Sequence, residues 1–123
     1  MQFRGICTLK FSYFLPTRLL FGFGVLDALG AEAQGLGATK VLVVTDKVMV
    51  KTGIVQKVTE RLGRTSFDVY DEVEPEPKVE VAQAVADQVR SASYDLVIGV
   101  GGGSSMDMAK VAAGFATNNG SAL

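Results

Sequence analysis

The stretch DLVIGVGGGSSMDMAK, residues 95–110, decides the fold. An apolar run, 95–100, ends in Gly101, Gly102 and Gly103; a serine pair follows, and the spacing then turns helical over 104–117. A short β-branched run that passes through glycines into a helix is the strand–turn–helix unit of a parallel sheet. Ligands of such sheets bind at the carboxyl ends of the strands. There, residues without a Cβ let the backbone approach a bound group. The helix start adds unpaired N–H groups and the positive end of its dipole. A diphosphate, anionic and rich in acceptor oxygens, suits both. Ser104 is expected as the N-cap, with a hydroxyl to offer a phosphate, and Asp107 completes an S-x-x-D pattern resembling a capping box. Lys110, three residues on, is within reach of Asp107 on a helix. The plainer alternative is a capped strand–helix turn with no ligand.

Working outward, the same alternation recurs. KVLVVTD, 40–46, is a β-branched run expected to be buried on both faces. A helix is expected over about 52–62, with Ile54, Val55, Val58 and Leu62 on one face. SFDVYD, 66–71, alternates like a strand, VEPEPK, 73–78, is a proline-broken connection, and 79–93 is helical with Val81, Ala82, Val85, Val89 and Ala92 inward. Upstream, 9–15 and 18–22 read as two short extended segments broken at Pro16-Thr17. From Val25 a helix is expected with Leu26, Leu29, Ala33 and Leu36 in one stripe, ended by Gly35 and Gly37. FGFGVLDALG, 21–30, is a partial glycine motif that departs from G-x-G-x-x-G and reads as a turn. Strands alternating with helices at crossover spacing build an α/β, Rossmann-like three-layer domain with a mostly parallel sheet. With few strands the sheet is narrow and reads as incomplete, and an unpaired edge invites a partner.

Asp46 ends the 40–45 strand, at the same sheet edge as the glycines if the strands are parallel. A carboxylate there can accept hydrogen bonds from ribose hydroxyls and would repel a 2′-phosphate, favouring NAD over NADP; Lys47 beside it could blunt that preference. The plainer alternative is an acidic residue capping a turn. In a standard Rossmann unit the glycines come first and the acid follows; here the order is reversed.

The composition bounds the alternatives. The 123 residues suit one modest domain; 48% are hydrophobic and 20% charged. Twelve basic and thirteen acidic residues give a net charge of −1, against a polybasic nucleic-acid or membrane surface. The single cysteine, Cys7, forms no internal disulfide, which fits a reducing, cytoplasmic setting. No apolar run reaches the roughly 18 residues of a membrane span, and the amino terminus, interrupted by Arg4, Lys10 and Pro16, lacks a signal-peptide pattern.

Four stretches together resemble the amino-terminal domain of the iron-containing (group III) alcohol dehydrogenases: FLPTRLLFGFG at 14–24, KVLVVTDKVMVKTGIVQKV at 40–58, DEVEPEPKVEVA at 71–82 and IGVGGGSSMDMAK at 98–110. The last, G-G-G-S-x-x-D-x-A-K, is the most specific. The resemblance implies that 1–123 is the amino-terminal dinucleotide-binding domain, in part, of an enzyme moving hydride between an alcohol and NAD(P). It implies that Asp46 meets the adenosine ribose and that Gly101, Gly102, Gly103 and Ser104 hold the pyrophosphate. Asp107 and Lys110 match the motif as well. Small alcohols or aldehydes are the implied substrates, and family members often form dimers or larger assemblies.

Two departures qualify the resemblance. Glu76 stands between Pro75 and Pro77, where the family usually shows asparagine. The family's Fe²⁺ or Zn²⁺ is held by an aspartate and three histidines of a helical domain, and this sequence has no histidine. The chain is therefore expected to be the inactive front part of a longer enzyme, with its metal ligands elsewhere. Glycerol dehydrogenases and dehydroquinate synthases, which resemble the same family, and a stand-alone non-catalytic nucleotide-binding module are the alternative readings.

Overall fold

The structure, a computed structural model, describes residues 12–118. At its centre is β1, Lys40–Val44, flanked by β2, Ser66–Tyr70, and β3, Leu96–Gly99, in a parallel sheet of order β2-β1-β3. Val41 pairs with Phe67 on one side and Leu96 on the other; Val44 pairs with Tyr70 and Gly99. The apolar run of β1 is buried on both faces, with Val41, Leu42, Val43 and Val44 each 0% exposed.

The alternation of β1 feeds two cores. Leu42 and Val44 pack with Ala82, Val85 and Val89 of α4, Val79–Ser91, and with Met108, Ala109 and Ala112 of α5, Gly103–Thr117. Val41 and Val43 pack on the other face with Ala33 of α1, Leu29–Gly35, and with Val55 and Val58 of α3, Ile54–Arg61. Helix, sheet and helix make the three layers that the strand–helix alternation predicts. A Cβ on Gly99 would stand 2.9 Å from the Ala109 Cβ and 3.1 Å from the Met106 Cα, so α5 lies against β3 at a distance that suits glycine alone.

At the opposite end of the sheet, Asp95 joins the starts of β3 and β1. Its carboxylate accepts from the Thr39 N–H at 2.9 and 3.0 Å, from the Lys40 N–H at 3.0 Å and from the Thr39 hydroxyl.

Several expectations need correction. Residues 12–22 hold no strand: a strand needs a ladder partner, these residues lie exposed, and Pro16 withholds a donor. Residues 9–11 of the first segment, and Cys7, lie outside the described residues. The expected helix from Val25 opens as a 3-10 turn, Val25–Ala28, and becomes α-helical only at Leu29. Leu36, past the end of α1, is 75% exposed, and Ile54 is 40% exposed. The helix expected over 52–62 is α3, which begins only at Ile54 after Gly53 at φ 80°; a further short helix, α2, Lys47–Lys51, precedes it and was not expected. Ala86 of α4, absent from the expected stripe, is fully buried.

Candidate functional site

All three strands point their carboxyl ends at one open cleft of about 900 Å³. Asp46, Lys47 and Met49 line it after β1, Tyr70 to Lys78 after β2, and Gly102, Gly103, Ser104 and Ser105 after β3. The parallel crossovers thus bring Asp46 and the glycine turn, far apart in sequence, to the same edge.

The floor of the cleft is the start of α5. The N-cap is Gly102, at φ −79° and ψ −169°, with no side-chain cap. The first intrahelical hydrogen bond runs from the Met106 N–H to the Gly102 carbonyl at 3.1 Å. The N–H groups of Gly103, Ser104 and Ser105 therefore have no helical partner, and all three residues line the cleft. A Cβ at Gly102 or Gly103 would meet nothing within 4 Å, so both face open space. Gly101 differs. Its φ of +135° is in the region that favours glycine, and a Cβ there would stand 3.1 Å from the Ser105 Oγ and 3.3 Å from the Met49 Cγ. It shapes the turn without lining the cleft.

These positions correct the expected capping box. Ser104 is the second residue of α5 and not its N-cap, so S-x-x-D does not close. Asp107 and Lys110 lie exposed on α5, outside the cleft lining, and form no ion pair with each other. Asp46 is itself an N-cap: its Oδ1 accepts from the Met49 N–H of α2 at 2.9 Å.

The rim is acidic. Asp46, Asp71, Glu72, Glu74 and Glu76 line it together with Lys47 and Lys78. Burial, then the carboxylates of Glu72, Glu74 and Asp71, push the Tyr70 phenol up, so it stays protonated at neutral pH. Glu76 occupies the left-handed region at φ 52°. The open amides of α5 favour a negative charge beside them, and the acidic rim opposes it.

Sequence reasoning missed Thr45, Tyr70, Ser105 and Lys78. Thr45 carried a signal, as a hydroxyl closing an apolar run; it is fully buried and bonds the segments that follow both β2 and β3. Among the described residues no group of three or more His, Cys, Asp or Glu side chains converges as metal ligands do. No helix among them is long and apolar enough to cross a membrane.

Comparison with known proteins gives one consistent result. A family profile described as iron-containing alcohol dehydrogenase matches residues 16–123. Long-chain-alcohol dehydrogenase 1 of Geobacillus thermodenitrificans is 45% identical over 102 residues, covering 81% of this chain and 26% of that protein. Lactaldehyde reductase of Escherichia coli is 37% identical over 101 residues, 80% of this chain and 26% of its own length. Among solved structures, sulfoacetaldehyde reductase from Bifidobacterium kashiwanohense in complex with NAD+ superposes with a TM-score of 0.81 at 27% identity, over 92% of this chain and 30% of that one. NADH-dependent butanol dehydrogenase A from Thermotoga maritima gives 0.81 at 28% identity, over 91% and 29%. The chain thus spans under a third of the length of these relatives.

Proposed function

Since the chain belongs to the iron-containing alcohol dehydrogenase family, we propose that residues 1–123 are the amino-terminal dinucleotide-binding part of a cytoplasmic oxidoreductase that moves hydride between a small alcohol or aldehyde and NAD(P). One observation carries the reading: three unpartnered amides at the start of α5, beside two glycines whose Cβ positions are open, border a cleft that also holds an anchored carboxylate. A dinucleotide fits that arrangement. The N–H groups of Gly103, Ser104 and Ser105 take diphosphate oxygens, and the Ser104 hydroxyl adds a further donor. Gly102 and Gly103 leave room for close approach, and Gly101 sets the turn. Asp46 accepts from the adenosine ribose hydroxyls. Asp107 and Lys110 are assigned to the cofactor motif by resemblance alone.

The acidic rim supports NAD over NADP, since a 2′-phosphate would add charge where carboxylates already outnumber lysines. The cofactor, when bound, supplies the hydride chemistry; the residues of this chain hold and orient it. The Fe²⁺ or Zn²⁺ of such an enzyme does not fit these residues, because the sequence has no histidine and the described residues form no ligand cluster.

Isothermal titration of the intact protein with NAD tests the reading. Saturable binding that Gly102→Val abolishes is the expected result. Equal binding by a folded Gly102→Val variant overturns the cradle assignment.

A further inference from the structure

We infer that Thr45 is a positioning residue for the diphosphate cradle: its buried hydroxyl fixes the Val100–Gly101 peptide from which the glycine turn departs. The inference rests on the dinucleotide reading of the cleft.

The ladder between β1 and β3 runs to the Val100 N–H, which donates to the Val44 carbonyl at 2.9 Å. In a parallel register the next donor, to the Val100 carbonyl, would be the Asp46 N–H. Asp46 has left the strand to cap α2. The Thr45 Oγ1 takes that carbonyl instead, donating at 2.8 Å from a residue that is 0% exposed. A peptide unit is planar, so holding the Val100 carbonyl also sets the direction of the Gly101 N–H and the plane from which Gly101 turns at φ +135°. The amides of Gly103, Ser104 and Ser105 follow directly from that turn.

Thr45 ties the β2 side too. Its N–H donates to the Tyr70 carbonyl at 2.8 Å, and its carbonyl accepts from the Val73 N–H at 3.2 Å. Main-chain bonds of this kind survive a change of side chain. The hydroxyl is the one tie that substitution removes, and it leads only to the glycine turn. Without it the Val100 carbonyl is a buried acceptor with no donor, and the turn moves to find one.

The test compares two ligands on the intact protein by nuclear magnetic resonance titration, which tolerates weak binding. ADP-ribose needs the diphosphate cradle; adenosine does not. Thr45→Val is expected to weaken ADP-ribose by about tenfold, the scale of one lost hydrogen bond to a buried group, and to leave adenosine within about twofold. Thr45→Ser, which keeps a hydroxyl, should restore ADP-ribose binding. Should Thr45→Val fail to fold, Thr45→Ala removes the same hydroxyl without a second branch and carries the same comparison. A folded variant that binds both ligands as wild type does, or loses both equally, overturns the positioning role. Wild-type protein that fails to bind ADP-ribose at all overturns the cofactor reading itself and this inference with it.

Discussion

Asp46 accepts the Met49 N–H at 2.9 Å through Oδ1 alone, so the acid that borders the cleft is held by the helix it begins. Cap and charge can be separated. Asparagine caps as well as aspartate but carries no charge. Asp46→Asn should keep the unfolding free energy of wild type while raising the affinity for NADP relative to NAD by roughly five- to tenfold. Asp46→Ala should lose about 1 kcal/mol of stability as well. Competition titrations with the two dinucleotides report the first effect and urea unfolding the second. An unchanged cofactor ratio in Asp46→Asn would remove Asp46 from the ribose site.

Asp95 supplies a pH dependence far from the cleft. The Thr39 hydroxyl first, and the Lys40 N–H next, hold its carboxyl below the ordinary value of 3.8, against a smaller opposing effect of desolvation. A carboxyl whose pKa falls on folding contributes stability above its unfolded value and loses it as pH drops through its folded value. Asp95→Asn should therefore melt below wild type at pH 7, by the same margin down to about pH 4, and the margin should close at lower pH. Thermal melts across that range check it. A margin undiminished near pH 2 would mean that the Asp95 charge is irrelevant.

The elements that periodicity announces were legible in the sequence. β1 and β3 are unbroken apolar runs, and α4 and α5 repeat their apolar residues at helical spacing, so strand, helix and crossover order followed from local physics. What depended on partners did not. Residues 12–22 have strand-like composition, yet a strand exists only where another offers its ladder. α2 has five residues, too few for a periodic signal, and is marked mainly by the cap at Asp46. The N-cap of α5 lies two residues before the expected Ser104: a serine before a helix normally caps it, but here Gly102 caps, Gly103 begins the helix, and its first amides are left open. That Asp46 and Gly102–Gly103 lie at one edge of the sheet was legible because parallel strands share an end. Thr45 stood out only as a hydroxyl closing an apolar run; its role was hidden, since its hydrogen-bond partner, Val100, is fixed only by the register of β1 with β3.

Arg90 closes the other end of α5. Its Nε donates to the Ala116 carbonyl and its Nη2 to the Asn118 carbonyl, each at 3.1 Å, and Nη2 also donates to Phe115. A planar cation against the last carbonyls of a helix satisfies acceptors and complements the dipole. Lysine keeps the charge but not the fork. Arg90→Ala should cost about 1 kcal/mol in urea unfolding, and Arg90→Lys should recover less than half of it. Full recovery by lysine would assign the effect to charge alone.

Two neighbouring glycines should fail in opposite ways. Gly101 is required by the backbone: at φ +135°, with a Cβ that would press on the Ser105 Oγ at 3.1 Å and the Met49 Cγ at 3.3 Å, Gly101→Ala should lose roughly 1–3 kcal/mol of stability. Gly102 is required by nothing in the protein. Its φ of −79° suits any residue, and an added Cβ meets no atom within 4 Å. Gly102→Val should cost at most about 1 kcal/mol, the difference between glycine and a poor N-cap. Its branched side chain nevertheless stands where a diphosphate would approach the amides of α5. Dinucleotide affinity should therefore fall by roughly a hundredfold or more, which is about 2.7 kcal/mol. Unfolding and NAD titration of both variants separate the two uses. Were Gly102→Val to lose stability as Gly101→Ala does, the empty space above Gly102 would belong to the fold and not to a ligand.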